Sequence, residues 1–438
     1  MRFLWISLGV LFILAVAALV TGSLWMGSYV RSEPFRGLIS NATGEVFDAA
    51  AVFEPLRWNG SSVYSESAGL QGAPGSALRR LEASQLRAEV NWRAAFSGAW
   101  RVEEISMTRL DGEWGPSDKS GAAARPGNMQ SPAGLAALLP HRFELGLLKI
   151  DNANLAFDGV RISDSALSVR PDGSGWVFQG TGGELRLPWP PVLGITSFRA
   201  REQGGALFLT EGQLRVGENG KITASGESSG GGTLQVSWEE VKAADILPEK
   251  LRKHLDGTLS GNALVSFPEQ VTGTVRMREG RIENVPLLAT VADFTGNPSF
   301  RRMPLQEVNG DFLYTGGTLQ VKNFSAESKG LMRIEGSAVL EKGGGLNGRF
   351  QVGVTPQTLQ WLPGSRERVF KQARNGYLWT ELSVGGTVGH PTENLSARLI
   401  EAMGVEAIDR GTNLLKDAPG AATEGVRGVL DILRPLVP

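Results

Sequence analysis

Met332-Arg-Ile-Glu-Gly-Ser-Ala-Val-Leu340, then Gly343-Gly-Gly345, then Arg349-Phe-Gln-Val-Gly-Val354 is the stretch that decides the fold. Met332, Ile334, Ala338 and Leu340 alternate with Arg333, Glu335 and Ser337, and Phe350, Val352 and Val354 alternate with Arg349 and Gln351. A period of two sends successive side chains to opposite faces of a pleated strand, so each run has one apolar and one polar face. Two such runs joined by glycines predict an antiparallel hairpin.

Working outward, the pattern repeats from Phe143 to Phe324, for example at Leu167-Val169, Trp176-Phe178, Leu214-Val216, Ile222-Ala224 and Leu234-Val236-Trp238. Glycine supplies 57 of 438 residues, nearly twice the usual ~7%, as expected of many turns between short strands. The expected fold is mainly β: a long, curved antiparallel sheet of roughly 16 to 18 strands with a few short helices. Helical spacing is read at Ser76–Leu86 (Leu78, Leu81, Ala83, Leu86), at Glu239–Leu255, at Gln357–Arg374 with a bend at Pro363-Gly364, and in two amphipathic helices over Ala397–Pro438. A break around Glu103-Glu104 in the strand Trp100–Leu110 predicts a β-bulge.

Phe3 to Val30 is 28 residues without a charge, 21 of them apolar, more than the ~20 that span a hydrocarbon core. A transmembrane helix is expected. The competing reading is a cleaved secretory signal ending at Ala15-Val16-Ala17. Either reading exports the body. The expected organisation is an anchor over 1–30, an α+β part over 31–114, a Gly-, Ala-, Ser- and Pro-rich linker over 115–134, a β-rich groove region over 135–390 and C-terminal helices over 391–438.

Composition narrows function. Lys plus Arg number 44 against 45 Asp plus Glu, so no global field draws in nucleic acid. With no cysteine and three histidines, thiol catalysis and most metal sites are not expected, and no cofactor, metal or catalytic residue is assigned. Gly226-Glu-Ser228-Ser-Gly230 matches a nucleophile elbow, but the residues after it open another strand where that motif needs a helix. Gly343, Gly345 and Gly348 fit a dinucleotide fingerprint, yet they too join strands. Arg366, Arg368, Lys371 and Arg374 form the local basic cluster and are the candidate contacts for anionic lipid headgroups; a solvated helix face balanced by Glu367 is the simpler account of them.

Three sets of phrases point to a family. They are Ala83-x-x-Leu86-x-Ala-x-Val90 with Gly98-x-Trp-x-Val-x-x-Ile105-x-Met-x-Arg-Leu110; Leu305-x-x-Val308-Asn-Gly-Asp-Phe-x-Tyr-x-Gly-Gly-x-Leu319-x-Val; and Gly336-Ser-Ala-Val-Leu340 followed by Val384-Gly-Gly-Thr-Val388-Gly-His-Pro391. Together with the apolar N-terminus they resemble the AsmA-like family, related to TamB and the repeating-β-groove lipid transfer proteins. The resemblance rests on strand phrases and on no catalytic signature. It implies a non-enzymatic protein anchored in the inner membrane, with its bulk in the periplasm, that takes part in phospholipid transport and outer-membrane assembly, with phospholipid, the inner membrane and other envelope proteins as partners.

The residues supply a mechanism of the same kind. A curved sheet with one apolar face shelters acyl chains, each buried methylene contributing ~0.8 kcal/mol. Met332, Ile334, Leu340, Phe350, Val352 and Val354 are the candidate groove lining, with an ordinary closed core as the other account of the same pattern. A non-transporting scaffold that binds proteins through its sheet edges is the alternative function.

Overall fold

The computed structural model describes residues 28, 30–91, 99–116, 142–157, 159–173, 175–188, 192–227, 231–247, 249–266, 270–283, 292, 298–360, 364–387 and 390–403. The architecture is mainly β, as expected, with 22 strands among the described residues. The expected transmembrane segment lies outside them apart from Ser28 and Val30. Among the described residues no helix is long and apolar enough to cross a membrane. The strands fall into two compact units.

The first unit opens with a helix that the hydrophobic pattern does not announce, α1 (Glu33–Phe47). Ser32 caps its start, accepting from the Phe35 amide, Pro34 sits in the first turn, and Asp48 ends it in a left-handed conformation. Then come β1 (Ala49–Phe53), β2 (Arg57–Asn59), β3 (Ser62–Gly72), β4 (Leu78–Asn91), β5 (Ala99–Trp114), β6 (Arg142–Phe157), β7 (Val160–Asp172), β8 (Gly175–Thr181), β9 (Glu184–Arg186) and most of β10 (Val192–Gln203). β1 and β2 pair with β3, the ladder runs β3-β4-β5-β6-β7, β8 and β9 both pair with β7, and β10 pairs with β8.

Three expectations are corrected here. The helix read at Ser76–Leu86 is strand β4. Ala83 and Leu86 both face the core because Gln85 between them takes φ +53, which breaks the strict alternation and imitates helical spacing. The sheet is mixed, since β5 and β6 run parallel from Ala99↔Arg142 to Trp114↔Phe157. The stretch 115–134 therefore connects neighbouring strands of one unit and does not separate two domains. A parallel pair needs a crossover of a dozen residues or more, and the connection spans 115–141. The bulge expected at Glu103-Glu104 is present: Glu89 pairs with Glu104 and Val90 with Val102, leaving Glu103 as the extra residue. Ala83, Met107, Ile150 and Ala153 form the buried centre of this unit, with Leu86, Leu110, Leu148 and Leu167 against them.

The second unit carries β11 (Ala206–Val216), β12 (Gly220–Glu227), β13 (Thr233–Lys242), β14 (Leu255–Ser266), β15 (Gln270–Glu283), β16 (Arg302–Thr315), β17 (Thr318–Ser328), β18 (Met332–Leu340), β19 (Leu346–Val354), β20 (Gln372–Arg374), β21 (Tyr377–Thr387) and β22 (His390–Glu393). Each strand from β11 to β19 pairs antiparallel with the next, then β19 with β21, whose other edge takes β20 and β22. The expected hairpin is present, paired from Met332↔Val354 through Leu340↔Leu346.

The helices read in this half are shorter than expected. Glu239–Leu255 supplies only α2 (Ala243–Ile246) and α3 (Glu249–Arg252), because β13 continues through a bulge at Glu240 to keep pairing with β14. Gln357–Arg374 supplies α4 (Pro356–Leu359) and α5 (Ser365–Arg368) and ends in β20, so the four basic residues do not share one helix. The first expected C-terminal helix appears as α6 (Leu395–Met403), and the second lies outside the described residues.

Candidate functional site

Register alone builds a continuous apolar surface in the second unit. One row crosses nine strands in directly opposed pairs: Ala224, Val236, Ala263, Gly273, Phe312, Val321, Ala338, Gly348 and Val384. A second row, two residues along each strand, holds Leu234, Val265, Val271, Tyr314, Leu319, Leu340 and Leu346. A third holds Leu259, Met277, Val308, Ala326, Ile334, Val352 and Thr380. In the middle strands this face is half-buried and not sealed: Ile222, Val236, Trp238, Val265, Val271, Val275 and Phe312 are all intermediate in exposure.

Aromatic rings lie flat on this surface because glycines leave room for them. A Cβ on Gly261 would stand 2.5 Å from Trp238 Cζ2, and one on Gly273 would stand 2.7 Å from Phe312 Cζ, so each ring covers a bare backbone on the neighbouring strand. The surface is also bent. Glu240, Glu279 and Asn323 have φ between +51 and +54 at the places where the β13/β14, β14/β15 and β16/β17 registers slip by one residue. Each such bulge bends its strand and sharpens the local twist. They fall on alternate strands, so the bends accumulate along one seam.

Both ends of the apolar face are closed. Ala243 and Leu247, around α2, pack with Met277, Leu255, Leu259 and Val308. At the other end Leu359 of α4, Val369, Phe370 and Ala402 of α6 bury Val352 and Val354, with Met332 and Ile334 packed against the same cluster. Four of the six candidate lining residues therefore sit beneath helices. Leu340 is buried with Leu319, beside Tyr314 and Leu346, and Phe350 stands edge-to-face with Phe324 at 6.2 Å. The middle strands carry the half-exposed part of the face, and the sequence reading passed over it because half-burial depends on which elements come to lie above a strand.

The basic cluster divides. Arg366 and Arg368 are exposed on α5 and Lys371 is exposed beyond it. Arg374, on β20, lies 2.6 Å from Glu335 Oε2 and 4.3 Å over the Trp379 ring. The outer, polar face is held by ion pairs: Arg333 Nε lies 2.8 Å from Glu335, and Tyr377 donates to Glu327 at 3.0 Å. Burial and then that hydrogen bond push the Tyr377 phenol above its ordinary pKa.

The first unit has a polar cleft of about 420 Å³ lined by residues including Arg80, Glu82, Arg109, Asp111, Asn154 and Arg161. Asp111 accepts from Arg109 Nε at 2.7 Å and from Asn154 at 3.0 Å. The Arg109 hydrogen bond holds the Asp111 carboxyl below the usual carboxylate range. Asn154 also accepts from the amide of Asp164, a residue with φ +55, so the network is tied to the backbone of a bulge. As for the catalytic look-alikes, Gly226 lies in β12 opposite Leu234 of β13, and Ser228 lies outside the described residues.

Comparison with protein-family models, with curated proteins and with solved structures finds no match.

Proposed function

We propose that this protein binds phospholipid, with acyl chains lying on the apolar face of the second unit, and that it moves or holds lipid for the assembly of an outer membrane while anchored through its apolar N-terminus in the inner membrane, its bulk in the periplasm. The observation that carries this reading is the half-buried apolar surface continuing in register across β12–β19 and β21. Nine strands have eight intervals of ~4.8 Å, about 38 Å, against ~15 Å for half of a ~30 Å hydrocarbon core. A surface of that length accommodates diacyl chains without recognising any one chain. At ~0.8 kcal/mol per buried methylene, ten methylenes supply about 8 kcal/mol before the ordering of the chains is subtracted. The AsmA-like resemblance points to the same reading. The face, open in the middle strands and closed at both ends, suits holding lipid over a limited stretch.

The test is native mass spectrometry with lipid extraction on the body from Arg31 to Pro438, purified without added lipid or detergent. Co-purifying phospholipid that is lost in the doubly substituted Val236→Asp, Phe312→Asp protein, with folding retained by circular dichroism, supports the reading. Lipid-free protein that also fails to take up added phospholipid refutes it and leaves the non-transporting scaffold.

A further inference from the structure

Among the described residues Arg398 on α6 is a cation without a carboxylate in ion-pair contact. Its side chain crosses onto β21, where Nη1 donates to the Glu381 carbonyl at 2.8 Å and Nη2 to Thr380 Oγ1 at 2.7 Å. Both acceptors are neutral. Among the described residues no carboxylate lies within ion-pair distance of it. The Glu381 carboxylate is engaged by Gln351 Nε2 at 3.5 Å, and Glu393 accepts from the Leu395 amide at 2.6 Å. Arg398 is half-buried, and Thr380 is 5% exposed. Its position is the end of an apolar row, since Thr380 pairs with Val352 and Val352 with Ile334. A second guanidinium stands close by: Arg368 Nη1 reaches the Glu401 carbonyl of the same helix at 3.5 Å.

Neutral acceptors position the guanidinium but leave its charge uncompensated, so an anion that reaches it gains charge-assisted hydrogen bonds. Two of the five guanidinium N–H groups are placed by these contacts, which leaves three for an oxyanion, and arginine suits phosphate through its forked geometry. We propose that Arg398 binds the phosphate of a phospholipid whose chains lie on the row that runs from Val384 through Ala338 and Val321 to Phe312, which starts four residues along β21 from Thr380 and lies outside the helix-covered cluster. This deepens the lipid-binding reading and rests on it. Headgroup selection then resides at the α6 end of the face, on a residue outside the basic cluster that the sequence singles out.

Titrations of the same body with three probes test this: dioctanoyl phosphatidylglycerol, dioctanoylglycerol, which has the same chains and no phosphate, and inorganic phosphate, the lipids below their critical micelle concentrations. The expected result is at least tenfold tighter binding of the phospholipid than of dioctanoylglycerol. In Arg398→Gln that preference disappears with dioctanoylglycerol binding unchanged, and Arg398→Lys retains most of it. Equal loss of both lipids in Arg398→Gln, or no change in either, overturns the assignment while leaving the lipid-binding reading standing. Inorganic phosphate binding as tightly as the phospholipid overturns it in favour of a free-anion site. Failure of both lipids to bind the unsubstituted protein refutes the lipid-binding reading and this assignment together.

Discussion

Gly261 and Gly310 belong to the same band of the apolar face, joined through Val275, yet replacing each by alanine should move stability in opposite directions. A Cβ on Gly261 would stand 2.2 Å from the Thr274 carbonyl oxygen and 2.5 Å from the Trp238 ring. The carbonyl belongs to the paired backbone of β15 and cannot retreat without disturbing that pairing. Overpacking of this kind costs about 1–3 kcal/mol, and the reduced freedom of the unfolded chain returns ~0.4–1 kcal/mol. A net loss of about 1 kcal/mol is expected. At Gly310 the nearest atoms, Phe324 Cδ2 and Val321 Cγ1, are both 3.7 Å away, an ordinary contact distance. There the unfolded-state term and the burial of one methyl group add, for a gain of about 1 kcal/mol. Urea unfolding followed by tryptophan fluorescence measures the two shifts, and hydrogen exchange over 255–283 reports whether the loss at Gly261 is local. Equal shifts for the two variants, or a destabilised Gly310→Ala, would refute the claim that rings lie on bare glycine backbone at one position and leave room at the other.

Glu279→Gly should stabilise by about 1 kcal/mol and Glu279→Val destabilise by about 1–3 kcal/mol, since φ is +53 there and a β-branched residue tolerates that region worst; thermal melts of the pair decide it. Tyr377→Phe should lose about 1 kcal/mol by removing the donor to Glu327. Because the folded phenol is raised, its contribution is complete below the ordinary tyrosine value of ~10 and is lost as pH climbs through the folded value. In an absorbance titration the variant should lose a phenol that ionises above the ordinary tyrosine range. Asp111 is lowered, so its contribution is complete above about pH 4 and disappears as pH falls through the folded value. Asp111→Asn should flatten the acid limb of the stability curve, and an unchanged limb would show that Arg109 does not act on it.

The alternation Met332–Val354 was sufficient for the hairpin and its turn, because each run buries one face of a pleat and glycines separate the two runs. Glu103-Glu104 was legible as a bulge for the same reason, as a fault in an otherwise regular period. Where a residue with positive φ sat inside a strand, the period itself misled. Gln85 made β4 read as helix, and Glu240 made the end of β13 read as the start of one. The parallel pairing of β5 with β6 left no local mark, since either direction satisfies the same alternation.

The chain by itself thus determined a β-rich fold, an apolar and a polar face along each strand, the absence of cysteine chemistry and an apolar N-terminus, all of them properties of neighbouring residues and composition. Tertiary structure decided which part of the apolar face lies under helices and which stays half-exposed, moving the candidate site from Val352 and Val354 to the strands around Val236, Val265 and Phe312. It also brought Arg398 to the end of that face. Burial and charge pairing depend on segments far apart in sequence, and no local period encodes where those segments meet.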